Sequence, residues 1–367
     1  MKVLFITRKY PPQVGGMEKL SYNLINTFPL RSGEEKFVIK LNKNQKHLWW
    51  FMPYALFKSI LIAPKVDIIH LGDPVLSIVG WFLKKIYHKP VAVTIHGLDI
   101  TYKNFIYQFY LKLFAFSFDK YICISRLTQL EAKKRGFGRT VIIPVGVEIK
   151  SKTSRPLRLG DIYLDDKILR YKDQKIFNPF ILITVGRLVR RKGVYWFVKN
   201  VMPDLIRLCP RVCYLVAGSG RESQRLKRLI NKLGVSQKVV LLGQLSDEDL
   251  TRLYSHSSLF VMPNIKVRGD LEGFGIVAIE AGQFGLPLIA RAIEGIIDAV
   301  IDGKDGTLIK DLSLRAWLEK IEELYHNPTL ARQEGERNRL YVLENFSYQK
   351  ITEKYYQVFS ILLKQLK

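Results

Sequence analysis

The chain has 367 residues, 48% of them hydrophobic and 25% charged, with 58 Lys and Arg against 33 Asp and Glu for a formal charge of +25. That length exceeds one ordinary core and predicts two domains, while the balance of apolar and charged residues excludes a disordered chain. The positive charge is spread along both halves, which excludes a single basic arm and predicts a generally positive surface drawn to nucleic acid, anionic lipid or phosphorylated small molecules, a solubility habit of the source organism being the bland alternative.

The opening run "KVLFIT" reads as a buried strand that breaks at Arg8 with no small-residue cleavage site. No signal peptide is expected, and the chain is placed in the cytoplasm. "RKYPPQVGG" then sets Gly15 and Gly16 ahead of "MEKLSYNLINTF", whose apolar spacing is helical. Strand, glycine loop and helix form a candidate anion seat, although any tight connection can use a Gly-Gly pair. "HLWWFMPYALFKSILIAP" is interrupted by Pro53 and Lys58 before reaching the roughly 20 residues of a membrane span. This segment and "NFIYQFYLKLFAFSF" fit either lipid-touching helices or buried core helices.

Short apolar runs recur at "VDIIHLG", "PVAVTIHG", "DKYICIS" and "TVIIPVG" with helix-length spacers, the alternation of a parallel sheet whose strand ends hold ligands. His96 follows one such run in "TIHGLD", with Asp99 as a potential partner; a lone histidine is more often structural than catalytic. From 150 to 178 the pattern dissolves into charged sequence, expected as a linker. It restarts with "FILITVGRLVRRKG", "CYLVAGSGRE", "VVLLGQLSDEDL" and "SLFVMPN". After the first of these strands come Gly186, Arg187 and Lys192, two cations able to neutralise a diphosphate. Arg190 and Arg191 are also available, and a plain surface cluster is the alternative.

Three decoys are discounted. Cys209 and Cys213 form C-x3-C within an odd count of three, a poor disulfide or metal signal. "SDED" reads as a helix start with Ser246 and Asp249 in capping positions rather than as a metal site. "AGSG" lacks the third glycine of a dinucleotide fingerprint.

"DLEGFGIVAIEAGQFGLP" spaces Glu272 and Glu280 eight apart, with Gly273, Phe274, Gly275 and Ile276 leading into a helix pattern. Unpaired amides at that helix start form a phosphate seat, and the two carboxylates suit the vicinal diols of a sugar and a ribose. Complementing the helix dipole is the structural alternative. "YQKITEKYYQVFSILLKQLK" closes the chain as an amphipathic helix.

Taken in order, "PPQVGGMEK", "HGLD", "VGRLVRRKG" and the E-x7-E element resemble the retaining glycosyltransferases of family 4, over nearly the whole chain. The resemblance implies an α/β chain of GT-B architecture: two Rossmann-like, doubly wound parallel-sheet domains facing a cleft, with the C-terminal helix crossing back to the first. The implied boundaries are 1–149 plus the helix 346–367 for an acceptor-side domain, a linker at 150–178, and 179–345 for a donor domain. Such enzymes move a hexose from a nucleotide diphosphate sugar, here GDP-mannose or a UDP-hexose, to a glycan or lipid-linked acceptor, with retention and with neither metal nor resident cofactor.

By matching motifs, Glu272 would hold the donor sugar hydroxyls and Glu280 the ribose, with the amides of 274–276 near the sugar and phosphate. Gly186 marks the strand end, where Arg187 and Lys192 would bind the diphosphate. Gly15 and Gly16 would cap the phosphates, and His96 would contact the sugar; His96, Arg187, Lys192 and Glu272 form the catalytic set. The family commonly has Gly-Gly-x-x-Glu where this chain has "AIEGIIDAV", with Glu294, Gly295 and Asp298, and Asn and Asp where it has Val145 and Glu148. The charge and the aromatic helices add an expectation of peripheral attachment to an anionic membrane surface. A sugar-nucleotide epimerase on the same fold is the alternative enzyme, and a basic nucleic-acid-binding protein the alternative class; aromatics interleaved with basic residues, which the latter needs, are not clear in the chain.

Overall fold

The computed structural model describes residues 1–13, 15–43, 45–166, 168–171 and 174–365. They form two compact units, Met1–Glu148 with Asn345–Lys367, and Ile149–Glu344.

The first unit is built on β1 (Lys2–Thr7), β2 (Glu35–Lys40), β3 (Ile68–Leu71), β4 (Val91–Ile95), β5 (Lys120–Cys123) and β6 (Thr140–Ile142), in the order β2-β1-β3-β4-β5-β6. Every pairing is parallel. Continuous runs such as Val3–Ile6 and Val91–Val93 are buried, as the central strands of a sheet covered on both faces must be. One face is covered by the helix Gly16–Thr27 and the closing helix Tyr348–Gln365, whose Tyr355 and Phe359 pack with Phe5 and Phe28. The chain thus returns to the first unit, and its last helix completes that core.

Helices covering the opposite face include Leu48–Ile62, Ser77–Tyr87 and Phe105–Phe114, the middle one touching both others. Phe51 and Ala55, Val79 and Leu83, and Leu111 point into the core. The outward sides are unusual, because Trp49, Trp50, Phe57, Leu61, Phe82, Ile86, Phe105, Ile106, Phe109 and Leu113 are all exposed, Trp49 to 76% and Phe105 to 85%. Of the two readings left open by the aromatic segments, the core reading holds for their inner sides, while their outer sides stay exposed. No helix among the described residues is long and apolar enough to cross a membrane.

The second unit has a six-stranded parallel sheet in the order β13-β12-β11-β14-β15-β16, where β11 is Phe180–Val185, β12 Val212–Ala217, β13 Val239–Gly243, β14 Leu259–Met262, β15 Leu288–Arg291 and β16 Thr307–Ile309. Both units are therefore Rossmann-like.

The expected linker at 150–178 is corrected. It contains β7 (Leu157–Leu159), β8 (Ile162–Leu164), β9 (Ile168–Tyr171) and β10 (Gln174–Phe177), a four-stranded antiparallel sheet within the second unit. Leu157, Leu164 and Leu169 are buried, while Arg158, Tyr163, Arg170 and Lys175 pair directly across the strands on the other side. With strands of three or four residues, the period-two signal is too short to stand out among the charges.

Candidate functional site

The loops after β11 and β14 meet backbone to backbone. After β11 the chain runs through Gly186 and Arg187 into a 3-10 turn, Arg190–Lys192, and then Gly193 at φ 69°. A Cβ on Gly193 would drive into the Pro263 carbonyl, and a side chain is costly at that φ as well. Just before it, the Ile265 N–H donates to the Arg191 carbonyl at 2.8 Å. Arg191 and Lys192 are thereby turned inward and buried.

Their charges converge on Glu272, which is 8% exposed. Lys192 Nζ lies 2.6 Å and Arg191 Nη1 3.1 Å from Glu272 Oε2. The Asn264 side-chain amide donates to the same oxygen at 2.9 Å, and Arg191 Nε reaches Asp270 at 2.9 Å. Burial alone would raise the Glu272 carboxyl, but Lys192 and Arg191 more than offset it and hold it below the usual carboxylate range. Charge-assisted bonds of this kind are the strong ones. Gly186 sits against the Lys192 ammonium, 3.7 Å from where its own Cβ would be.

The segment from Glu272 also meets the loop after β15. The Glu272 N–H donates to Glu294 Oε2 at 2.6 Å, and the Gly295 N–H donates to the Glu272 carbonyl at 3.0 Å. A Cβ on Gly295 would strike the Gly273 carbonyl, so only glycine permits that approach. Gly273, buried Phe274 and Gly275 (φ 82°) then lead into the helix Ile276–Gly282, whose start has no side-chain cap. Glu280 lies one turn inside, beside the buried Tyr254 phenol; burial, then the Glu280 charge, raises that phenol well above its ordinary value.

Lys192, Gly186, Glu272 and Gly273 are thus brought together around one carboxylate, with Phe274–Ile276 following directly. Arg187 is exposed and has no part in the Glu272 ion pairs. Arg191, named in the sequence only as an available cation, forms one of those pairs and a second ion pair to Asp270. Asn264, Asp270 and Glu294 also belong to the cluster. Their signal was weak: Asn264 closes the β14 run, Asp270 stands two residues before Glu272, and Glu294 marks the departure from the family pattern.

The remaining candidates lie in the first unit. Gly15 is the N-cap of the helix Gly16–Thr27 without a side-chain cap bond. The Glu18 carboxylate folds against Gly15 and is held by Lys9 Nζ at 3.0 Å, so the helix start carries an anion of the chain's own. His96 Nε2 lies 3.0 Å from the Gly72 carbonyl, a contact that requires the proton on Nε2. Asp99 accepts the backbone N–H groups of His96 and Gly97 at 2.8 and 2.7 Å; it holds the turn rather than the imidazole.

Ser246 accepts the Asp249 N–H at 3.0 Å as a helix cap. All three cysteines are free and buried, and burial pushes the Cys209 and Cys213 thiols up to about 11.

Comparison with known proteins matches residues 3–151 to Glycosyltransferase Family 4 and residues 166–341 to Glycosyl transferases group 1. The chain is 27% identical to the capsular polysaccharide biosynthesis glycosyltransferase CapM of Staphylococcus aureus, over 85% of this chain and 81% of that one. It is 26% identical to the GDP-mannose-dependent monoacylated alpha-(1-6)-phosphatidylinositol monomannoside mannosyltransferase of Corynebacterium glutamicum, over 96% of each. Among solved structures it resembles sucrose-phosphate synthase from Thermosynechococcus elongatus (TM-score 0.72, 21% identity, 99% of both chains). It also resembles Anabaena HepE, solved in complex with UDP-glucose (TM-score 0.70, 19% identity, 98% of this chain and 99% of that one). With a family match on each half and a Rossmann-like sheet in each unit, the chain belongs to the family 4, group 1 glycosyltransferases of GT-B fold.

Proposed function

We propose that this glycosyltransferase moves a hexose from a nucleotide diphosphate sugar to a glycan or lipid-linked acceptor at an anionic membrane surface, with retention of configuration. The observation that carries the proposal is the buried Lys192–Glu272–Arg191 cluster at the strand-end loops of the second unit. Departure of a nucleoside diphosphate while positive charge builds on the anomeric carbon is the difficult step. Cations fixed beside the leaving phosphates stabilise that moment more than the ground state. Lys192 and Arg187 are assigned to the diphosphate, with the amides of Phe274, Gly275 and Ile276 beside it, and this neutralisation is the role a metal plays elsewhere. Glu272 is assigned to the sugar hydroxyls and Glu280 to the ribose. Gly15 and Gly16 are assigned to the phosphates and His96 to the sugar, His96 Nε2 donating to the Gly72 carbonyl. In a same-face reaction, the departing phosphate oxygen takes the acceptor's proton and no dedicated base is needed. No resident cofactor is assigned.

Relatives named as GDP-mannose-dependent and a structural neighbour solved with UDP-glucose support GDP-mannose or a UDP-hexose as donor. The relatives named for capsular polysaccharide and for phosphatidylinositol mannoside support a glycan or lipid-linked acceptor. The exposed aromatic face of the first unit supports the membrane.

A thermal-shift panel of nucleotides and nucleotide sugars identifies the donor, because a ligand selective for the folded state raises apparent stability by mass action. With that donor, Lys192→Ala is expected to lower kcat by roughly a hundredfold or more while far-UV circular dichroism stays that of the wild type. Near-normal turnover in a folded variant would overturn the assignment. Donor converted in the absence of acceptor would identify an epimerase instead.

A further inference from the structure

Glu294 stands in the left-handed region at φ 51°, where an ordinary L-residue is strained and glycine is not. Strain of this kind persists when the surroundings over-determine it. Here the surroundings are explicit. The Glu294 carboxylate accepts the Glu272 N–H at 2.6 Å, and the next residue, Gly295, donates its own N–H to the Glu272 carbonyl at 3.0 Å. The loop after β15 therefore grips the backbone of one residue, Glu272, at both its N–H and its carbonyl. Asn264, Arg191 and Lys192 grip the side chain of the same residue. Helix Ile276–Gly282 and β14 supply no substitute bond to that N–H.

The electrostatics argue against an incidental contact. A second carboxylate is placed next to Glu272, and burial, with the Glu272 charge adding, pushes the Glu294 carboxyl up from its ordinary value. Both a strained backbone and a like-charge neighbour are costs, and glycine at this position would remove both. The return for keeping glutamate is a fixed Glu272 backbone.

We propose that Glu294 is a positioning residue that fixes the Glu272 peptide, and through it the Glu272 carboxylate, for the donor sugar. The proposal rests on the assignment of Glu272 to the sugar hydroxyls. A misplacement of about 1 Å at such a group costs on the order of a hundredfold in rate.

The test compares wild type, Glu294→Gly, Glu294→Gln and Glu272→Gln, using UDP-glucose and GDP-mannose as donors and UDP and GDP as product nucleotides. Glu294→Gly is expected to melt at the wild-type temperature or above, to exchange the Glu272 amide faster, and to bind the nucleoside diphosphate as wild type does. Its kcat is expected to fall by roughly tenfold to a hundredfold. Glu294→Gln keeps an oxygen acceptor for the Glu272 N–H, and is expected to restore most of kcat and the slow amide exchange. Wild-type kcat in Glu294→Gly beside an inactive Glu272→Gln overturns the role of Glu294 alone. Wild-type kcat in Glu272→Gln overturns the sugar assignment beneath it, and the proposal with it. A Glu294→Gln variant as slow as Glu294→Gly, in kcat and with slow amide exchange retained, overturns the hydrogen bond as the cause.

Discussion

An ammonium, a guanidinium and a carboxylate are buried together at Lys192, Arg191 and Glu272, and each was desolvated to get there. Buried ion pairs return little net stability, since desolvation offsets most of the attraction, so the cluster is better explained by the proposed donor than by stability. Glu272 and Lys192 were legible in the sequence because each stands beside glycines at the end of an apolar run. Arg191 and Asn264 were not, since their place depends on two distant loops bonding through Ile265 and Gly193, a fact of packing with no local signature. Another buried titratable group was equally hidden. His70 is enclosed by Phe5, Tyr355 and Phe359 and bonds Thr94 at 2.9 Å, which in turn meets the Tyr355 hydroxyl at 3.1 Å. Burial, with the His96 charge adding, lowers it to about 3. The folded protein therefore refuses a proton that the unfolded chain accepts near pH 6.5, so this stability is complete above 6.5 and is lost as pH falls toward 3. His70→Gln keeps a hydrogen-bonding side chain without that titration. Urea unfolding between pH 6 and 4 is expected to show a pH slope flatter in the variant by about 1.4 kcal/mol per pH unit; equal slopes would contradict a buried neutral His70.

Long parallel strands announced themselves, and short antiparallel ones did not. Runs such as "KVLFIT" and "FILITV" are six-residue strands of mostly apolar side chains, five of the six buried in each, as the strands of a sheet covered on both faces are. In β7 to β10 each strand offers one or two inward residues, and the outward positions carry Arg158, Arg170 and Lys175, so charge dominated the pattern. The buried leucines separate a folded sheet from a tether. Leu164→Ala is expected to cost about 2–4 kcal/mol of unfolding free energy, as for other fully buried leucines. Arg158→Ala, on the outward row, is expected to stay within about 0.5 kcal/mol of wild type. A tether would tolerate both changes alike in denaturant melts.

At the scale of the whole molecule, the proposed membrane attachment expects a charge of +25 and the apolar face of the first unit to act together on an anionic bilayer. In that proposal charge draws the protein in over a Debye length, and aromatic side chains then leave water at the interface. The two contributions separate by salt, since only the first is screened. On the helix Phe105–Phe114, exposed Phe105 and Phe109 stand one turn apart with Lys112 beside them. Each ring withdrawn from water contributes about 1–2 kcal/mol, less than full burial in a core. The double variant Phe105→Glu, Phe109→Glu removes both rings and adds charge that the lipid repels. Co-sedimentation with phosphatidylglycerol vesicles is expected to weaken by roughly a hundredfold, with thermal stability unchanged because neither ring is in the core. Wild-type binding is expected to fall when salt is raised yet stay above that of the variant, the remainder being the rings. Equal binding to phosphatidylcholine and phosphatidylglycerol would remove the anionic surface from the proposed function. Wild-type binding by the double variant would move the contact away from this helix, to charge or to the exposed rings of its neighbours.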